Sequence, residues 1–217
     1  MRLQSPKKLL RNRETGLETD GVMLDESTIT GPVDFKSIFG NDRPVEIEIG
    51  SGKGTFLVAR AAARPEVNFL GIEYARAYCR HAADRMKRND LQNVRMLGTD
   101  AEAFVRKFVP DSSIMRLHIY FPDPWPKRRH HRRRIMQRPF LDEVRRILIP
   151  GGQLIVVTDH RGYFLQIRRV LTDAPGFANI PMPKMSAEDG EIVGTNFERK
   201  YIAQGRKFHS IARMKYL

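Results

Sequence analysis

From residue 45 onward, the chain alternates short apolar runs with longer segments in which apolar residues recur every three or four positions. Short apolar runs between turn residues predict buried strands, and the longer period predicts amphipathic helices. The predicted strands are 45–49, 68–72, 94–97, 115–120 and 153–157, and the predicted helices are 55–63, 75–89, 101–108, 135–148 and 163–172. This alternation indicates right-handed βαβ units, and therefore an α/β fold with a mostly parallel sheet and helices on both faces.

Both ends of the chain depart from this pattern. Residues 1–13 are rich in Lys and Arg and hold few apolar positions, which is typical of a mobile basic arm. The segment that follows is rich in turn formers and acids without a sustained period, so an irregular lead-in to residue 44 is expected. Near the other end, 177–182 and 208–216 predict two more strands, with a helix near 196–203. The sequence therefore predicts an arm and lead-in over 1–44 and a seven-stranded domain over 45–217.

The composition adds a strong positive charge. Lys and Arg number 38 against 25 Asp and Glu, which gives a formal net charge of +13. Such a charge indicates nucleic acid as the first class of partner and an anionic membrane surface as the second. No apolar run approaches the roughly 20 residues that cross a bilayer, and no signal-peptide pattern opens the sequence. Because Cys79 is the sole cysteine, we expect a cytoplasmic protein without disulfides or a thiolate metal site.

The first predicted strand runs into a glycine-rich loop, Glu48-Ile-Gly50-Ser-Gly52-Lys-Gly54, directly before a helix. Glycines let the backbone turn sharply and approach a ligand closely. Thr55 stands where the dinucleotide fingerprint has its third glycine, which disfavours NAD, and the absence of the Walker Lys-Ser pattern disfavours ATP. Glu48 itself is expected in a buried strand, where its carboxylate needs either the ammonium group of a ligand or an internal salt bridge.

Two further acids follow neighbouring predicted strands. Glu73 ends the second strand, at the position from which an acid usually binds ribose hydroxyls. Asp100 follows the third strand, where it could accept a hydrogen bond from an adenine amino group or cap the helix that begins at Ala101. An acid for an ammonium group, glycines for close approach, an acid for ribose and an acid near adenine together describe a site for S-adenosylmethionine.

Residues 121–134 combine a stiff loop with a block of positive charge. They read Phe-Pro-Asp-Pro-Trp-Pro-Lys-Arg-Arg-His-His-Arg-Arg-Arg. Three prolines make the loop rigid and neither helical nor extended in a sheet. A rigid loop that presents Asp123 and Trp125 suits a flat polar ring such as a nucleobase, and the basic block suits a phosphate backbone. The structural alternatives are a proline-rich turn before a solvated helix, with Trp125 packed beneath the loop.

Taken together, these motifs resemble those of the bacterial tRNA (guanine-N7-)-methyltransferases. The resemblance covers residue 45 to the C-terminus, and Thr158-Asp159 and 195–200 are similar to further motifs of that family. Pro126 departs from the family pattern, in which His is frequent. The resemblance implies a Rossmann-like class I methyltransferase fold, S-adenosylmethionine as cofactor without a metal, and tRNA as partner. It implies no obligate protein partner and no membrane, with the protein a monomer or a homodimer.

The activity that the resemblance implies is transfer of a methyl group from S-adenosylmethionine to N7 of a guanosine in the tRNA variable loop, at position 46, with Asp123 as the catalytic residue. The cofactor-binding residues are then Glu48, Gly50, Gly52, Gly54, Glu73, Asp100 and Asp123. The expected substrate- and RNA-binding residues are Lys127, Arg129, His130, His131, Arg132, Arg133, Arg134, Asp159, Thr195, Asn196, Phe197 and Glu198. Thr195 and Glu198 also match a capping box, which is a structural role, and Asp159 could equally cap the next helix.

Two other functions remain open at this point. A methyltransferase acting on an exocyclic amine of a nucleic acid would favour Asp/Asn-Pro-Pro-aromatic after the fourth strand, whereas this chain has Pro-Asp-Pro-Trp. A non-catalytic RNA-binding module would bind RNA independently of S-adenosylmethionine. The presence of Glu48, Glu73 and Asp123 argues against this second alternative.

Overall fold

The computed structural model describes residues 16–188 and 191–216, so the predicted basic arm, residues 1–13, lies outside the described residues. The strands are β1 (Met23–Leu24), β2 (Val45–Ile49), β3 (Asn68–Ile72), β4 (Val94–Leu97), β5 (Ile114–Tyr120), β6 (Leu148–Thr158), β7 (Phe177–Ile180) and β8 (His209–Lys215). The α-helices are α1 (Phe35–Phe39), α2 (Thr55–Ala63), α3 (Arg76–Arg88), α4 (Ala101–Phe108), α5 (Arg138–Ile147), α6 (Arg161–Thr172) and α7 (Asn196–Ala203). Two 3-10 helices span Glu26–Thr28 and Arg128–Arg133.

In the described part of the chain, the strands form one sheet in the order β1-β4-β3-β2-β5-β6-β8-β7. Strands β1 to β6 pair in parallel, and β8 lies antiparallel between β6 and β7. Consecutive side chains of a strand point to opposite faces, and the two faces carry separate apolar clusters, with Ile47 and Leu117 in one and Phe69 and Val157 in the other. The mostly parallel α/β sheet that the sequence predicts is confirmed. None of the described helices has the length and apolar character needed to cross a membrane.

The irregular lead-in and the count of seven strands are wrong. Met23 and Leu24 add an eighth strand to the sheet edge, in parallel with β4. Helix α1 follows, with the Asp34 side chain accepting a hydrogen bond from the Lys36 N–H at its start and Gly40 in the left-handed region at its end. Elements of two and five residues are too short to display a hydrophobic period, which is why the pattern missed them.

The boundary between α5 and β6 also differs from the prediction. Helix α5 begins at Arg138 rather than at residue 135, with Pro139 in its first turn, where a missing N–H costs nothing. Strand β6 begins at Leu148 instead of at residue 153. The register between β5 and β6 shifts between Ile114 and Arg116, so a bulge absorbs the Pro-Gly-Gly sequence at 150–152, which lies between the predicted helix and the predicted strand.

Strands β2, β3, β5 and β6 end at the same edge of the sheet, because they are parallel. The glycine loop follows β2, Glu73 follows β3, the proline-rich loop follows β5 and Asp159 follows β6. In open α/β sheets, ligands bind at this edge. The fold therefore brings most of the predicted site residues to one end of the molecule.

Candidate cofactor and substrate site

A cleft of about 290 Å³ opens at the carboxyl ends of β2 and β5. It lies between the glycine loop and the start of α7, although the two segments are far apart in the sequence. The predicted residues on its walls are Glu48, Gly50, Gly52, Thr195, Asn196 and Phe197. The remaining lining residues are the aromatic Phe56, Tyr78, Tyr120 and Phe121 and the polar Ser51, Lys53 and Thr55. A cleft with several aromatic walls and a few polar groups is the usual form of a small-molecule site.

The floor of this cleft holds an unpaired carboxylate. The Glu48 side chain is 3% exposed, and its Oε2 atom has no hydrogen-bond partner among the described residues. Burial raises the pKa of Glu48 to about 8, against the lowering effect of a hydrogen bond from Ser51 and with a further rise from the charge of Glu73. No salt bridge within the described chain neutralises Glu48, so a ligand that brings an ammonium group fits this position.

The glycine loop is held in place by contacts with helix α3. All three of its glycines have positive φ, and at Gly54 a Cβ atom would lie 2.8 Å from Met86 Cε. Gly54 is therefore required for packing against α3, and it does not line the cleft, so its contact with a cofactor stays a prediction. On the same side, an Arg85 terminal nitrogen donates to the Lys53 carbonyl oxygen at 2.6 Å and to Thr55 Oγ1 at 3.0 Å.

The two predicted acids after β3 and β4 have different surroundings. Glu73 accepts a hydrogen bond from the Gly52 N–H and another from the Ala75 N–H, each at 2.8 Å. It thus holds the glycine loop against the start of α3 and keeps lone pairs for a ligand. Asp100 is exposed and accepts from the Ala103 N–H at 2.9 Å, so it caps α4. Neither acid is part of the cleft wall.

Asp123 lies at the centre of a strained loop. Phe121 and Trp125, two residues on either side of it, have φ values of 50° and 41°. Side chains other than Gly rarely adopt this left-handed region, and such residues cluster at functional sites. Asp123 is exposed, and within the described residues no hydrogen bond engages its carboxylate. The strain therefore presents a free acid next to Phe121, which lines the cleft.

Trp125 packs within its own loop. The Arg133 guanidinium lies over its ring at 4.9 Å from the centroid, and the His130 ring meets it edge-on at 5.9 Å. This agrees with the structural alternative for Trp125, and base stacking by this residue stays a prediction.

The basic block after the loop is mostly available to a partner. Residues 128–133 form a 3-10 helix that begins after Lys127. The side chains of Lys127, Arg129, Arg132 and Arg133 are exposed, and His130 and His131 are half-buried. An exposed cluster of this kind suits contact with phosphates.

Arg134 is the exception in this block. It is only 5% exposed, and its Nε donates to the Pro124 carbonyl oxygen at 2.7 Å. Another guanidinium nitrogen donates to Gln166, and the group lies 4.8 Å above the Tyr163 ring centroid. Its donors hold the proline-rich loop against α6, and RNA contact by Arg134 stays a prediction.

Glu198 is also internal. Its fully buried carboxylate accepts hydrogen bonds from the N–H groups of Ile192, Val193 and Gly194 at 2.6 to 2.9 Å. The Glu198 N–H donates to Thr195 Oγ1 at 3.0 Å, so Thr195 caps α7. Only this half of the predicted capping box forms. The Glu198 carboxylate shapes the loop that carries Thr195 to the cleft, and substrate contact by Glu198 stays a prediction.

Asp159 is paired inside the protein. Its Oδ2 accepts from an Arg206 terminal nitrogen at 2.5 Å, and the Arg206 guanidinium lies 4.2 Å from the Tyr201 ring centroid. The Tyr201 ring in turn meets Phe121 edge-on at 5.4 Å. Asp159 therefore anchors the aromatic side of the cleft, and substrate contact by this residue stays a prediction.

Sequence reasoning missed a set of buried polar residues beneath the cleft. Glu46 and His118 are fully buried, and Glu46 Oε2 lies 2.7 Å from His118 Nε2. His118 Nδ1 lies 2.6 Å from the Tyr120 hydroxyl, and Arg116 donates to Glu46 Oε1 at 3.0 Å. The signal was available, because charged residues at alternate positions of a buried strand need partners. The need for a partner that holds for Glu48 holds equally for Glu46 and His118.

Comparisons with known proteins show the family of this chain. A family model described as "Putative methyltransferase" matches residues 42–211. The tRNA (guanine-N(7)-)-methyltransferase of Rhodopirellula baltica is 34% identical over a match that covers 91% of this chain and 76% of that protein. The protein of the same name from Aliivibrio fischeri is 37% identical, over 96% of this chain and 87% of its own length.

A solved structure supports the fold. The 16S rRNA methyltransferase KamB superposes with a TM-score of 0.60, covering 87% of this chain and 96% of its own, at 12% identity. This confirms a Rossmann-like class I methyltransferase fold, with eight strands in place of the predicted seven. The sequence relatives carry the assignment further than the fold does. The chain belongs to the family of the tRNA (guanine-N(7)-)-methyltransferases.

Proposed function

We propose that this protein transfers the methyl group of S-adenosylmethionine to N7 of a guanosine in the variable loop of tRNA, at position 46. The observation that carries the proposal is the unpaired, buried Glu48 carboxylate in a cleft that adjoins the Asp123 loop. Membership of the family supports the same reaction. Position 46 is inferred from the motifs, and sequence-specific readers of RNA usually bind unstacked loop bases.

The residues of the cleft fit the cofactor. Glu48 would hold its ammonium group, Gly50 and Gly52 leave open backbone on which it can lie, and Glu73 has free lone pairs for ribose hydroxyls. S-adenosylmethionine supplies an electrophilic methyl group when it is bound. The surrounding aromatic side chains exclude water from this part of the cleft.

Guanine N7 carries a lone pair and no proton, so the reaction needs no general base. The task of the protein is to place N7 in line with the methyl carbon, and good orientation alone is worth up to roughly 7–11 kcal/mol of barrier. Positive charge develops on the purine as the bond forms. The Asp123 carboxylate, presented free by the strained loop, would stabilise that charge or orient the guanine through hydrogen bonds.

The exposed basic residues would bind the tRNA backbone. Lys127, Arg129, Arg132 and Arg133 follow the Asp123 loop directly, so phosphates held there would bring an adjacent nucleotide to the cleft. Asn196 and Phe197 are exposed at the cleft wall and suit contact with the target guanine. We propose that the protein acts in the cytoplasm, as a monomer or homodimer, without an obligate protein partner.

The test is a transfer assay with purified protein, unmodified tRNA and methyl-labelled S-adenosylmethionine. Borohydride reduction and aniline cleavage would then map N7-methylguanosine. We expect label in the variable loop, its loss in Asp123→Ala, and its retention in Asp142→Ala, which removes a surface acid that pairs with Arg138. Label on an exocyclic amine would favour the alternative methyltransferase, and RNA binding without any transfer would favour the non-catalytic module.

A further inference from the structure

A row of polar side chains, buried except for the half-buried Arg116, runs beneath the cleft on one face of the sheet. It begins at Arg116, passes through Glu46 and His118, and ends at the hydroxyl of Tyr120. In the register of β2 and β5, Glu46 pairs with Arg116 and Glu48 pairs with His118. Side chains two apart on a strand share a face, so the row and Glu48 lie on the same face, under the same cleft.

The charges in this row fix where its protons lie. Arg116 forms a salt bridge to Glu46 Oε1 at 3.0 Å. Burial raises the pKa of Glu46, but the hydrogen bond from His118, the charge of His118 in its protonated form, and the charges of Arg116 and Arg60 outweigh it, so the net pKa lies below the ordinary value. Burial lowers the pKa of His118, so its ring is neutral and carries one N–H. An ionised Glu46 can only accept, so that N–H is on Nε2, and His118 Nδ1 accepts the hydroxyl proton of Tyr120.

This arrangement determines whether the Tyr120 hydroxyl donates or accepts hydrogen bonds toward the cleft. Its single proton is committed to His118, and Phe56 packs against both rings at centroid distances of 4.8 and 4.9 Å. The hydroxyl oxygen therefore has only lone pairs left, and Tyr120 lines the same cleft as Glu48, whose Oε2 is unpaired among the described residues. Two acceptors in one buried place favour a cationic amino group and disfavour a carboxylate.

We propose that Tyr120 is a second cofactor-binding contact, which selects the cationic amino group of the cofactor's amino-acid portion together with Glu48. Glu46 and His118 are positioning residues that act through the Tyr120 hydroxyl. This inference rests on the proposed function, because it takes the cleft to be the cofactor site.

The test compares two ligands in calorimetric titrations, without turnover. The first is S-adenosylhomocysteine, and the second is its analogue without the amino group, 5′-S-(3-carboxypropyl)-5′-thioadenosine. The quantity of interest is the dissociation constant of the analogue divided by that of S-adenosylhomocysteine. We expect Tyr120→Phe to reduce this ratio about 10- to 100-fold, as for one hydrogen bond to a charged group, and Tyr163→Phe, which removes a buried hydroxyl outside the cleft wall, to leave it unchanged. An unchanged ratio in Tyr120→Phe would overturn the inference, whereas failure of the wild-type protein to bind S-adenosylhomocysteine would overturn the proposed function itself.

The positioning role needs a separate readout. Glu46→Gln keeps the shape but allows the amide to donate to Nε2, which moves the ring proton to Nδ1 and turns Tyr120 into a donor toward the cleft. We expect this variant to reduce the ratio as well, and Glu46→Gln/Tyr120→Phe to lower it no further than Tyr120→Phe alone. Additive effects would contradict action through Tyr120. Nitrogen-15 spectra of the wild-type protein should place the His118 proton on Nε2, and a proton on Nδ1 would overturn the proposed arrangement.

Discussion

The Arg134 Nε atom donates a hydrogen bond to the Pro124 carbonyl oxygen, 2.7 Å away, across ten residues of chain. This contact fixes the loop that carries Asp123 to helix α6, because the same guanidinium also binds Gln166 and lies over Tyr163. Arg134, the last residue of the basic run, thereby fixes the position of Asp123 instead of adding to the surface charge.

Arg134→Lys should therefore lower kcat and the melting temperature while leaving the salt dependence of tRNA binding unchanged. Lysine lacks the planar fork that reaches two partners at once. Arg129→Ala, which removes an exposed charge of the same run, should do the opposite: weaker tRNA binding, a salt slope smaller by about one and normal stability. Thermal unfolding and binding at several salt concentrations separate the two. A loss of salt slope in Arg134→Lys would show that this side chain reaches the RNA.

Glu48 should make the stability of the ligand-free protein fall as pH rises. With a folded pKa of about 8 and an ordinary value of 4.5, the folded state binds an extra proton between these limits. Glu48→Gln removes this penalty, so its advantage in unfolding free energy should grow from near zero at pH 4.5 to a plateau above pH 8, at up to about 1.4 kcal/mol per pH unit. Denaturant unfolding at several pH values measures the difference, and a pH-independent difference would refute the assignment.

The same substitution should weaken the binding of S-adenosylhomocysteine by about 10- to 100-fold at pH 8, because a hydrogen bond to a charged group is lost. Binding to the wild-type protein at pH 7 should release a proton, since the ammonium group requires an ionised Glu48. Calorimetry in two buffers with different ionisation enthalpies detects that proton. Glu48→Gln provides the matched control, in which no proton from this site should appear.

Glu198 should control the order of the segment before α7 rather than the chemistry. Glu198→Ala leaves the N–H groups of Ile192, Val193 and Gly194 without an acceptor. Each unsatisfied group should lower the free energy of unfolding by up to about 1–3 kcal/mol. Hydrogen exchange should quicken at these amides, and the KM for tRNA should rise because Thr195 and Asn196 lose their support. Glu191→Ala offers a control on the same segment. Unchanged exchange at the three amides would contradict this role.

The sequence allowed most of the sheet to be predicted, because its strands are buried and their ends are marked by turn residues. The bounds of β2, β3, β4, α2, α4 and α7 agree with the prediction. The edge strand β1 was not predicted, because two residues carry no period and its pairing with β4 is a long-range contact.

Site residues could be predicted where the chemistry of one side chain is decisive, as for Glu48. They could not be predicted where identical residues differ only in direction. Arg133 and Arg134 are neighbours in one run, yet one is exposed and the other buried. Likewise, the capping-box pattern at Thr195 and Glu198 is present, but the Glu198 carboxylate turns to three other amides, which only the path of the preceding loop determines.

The central claim is that N7 of a tRNA guanosine is the atom methylated in this cleft. The most direct measurement compares label transfer to two synthetic tRNAs that differ at one atom, with guanosine or 7-deazaguanosine at position 46. We predict methylation of the first and none of the second, with both bound equally well. Undiminished methylation of the 7-deazaguanosine tRNA would contradict the account, because that base has no N7 lone pair to accept the methyl group.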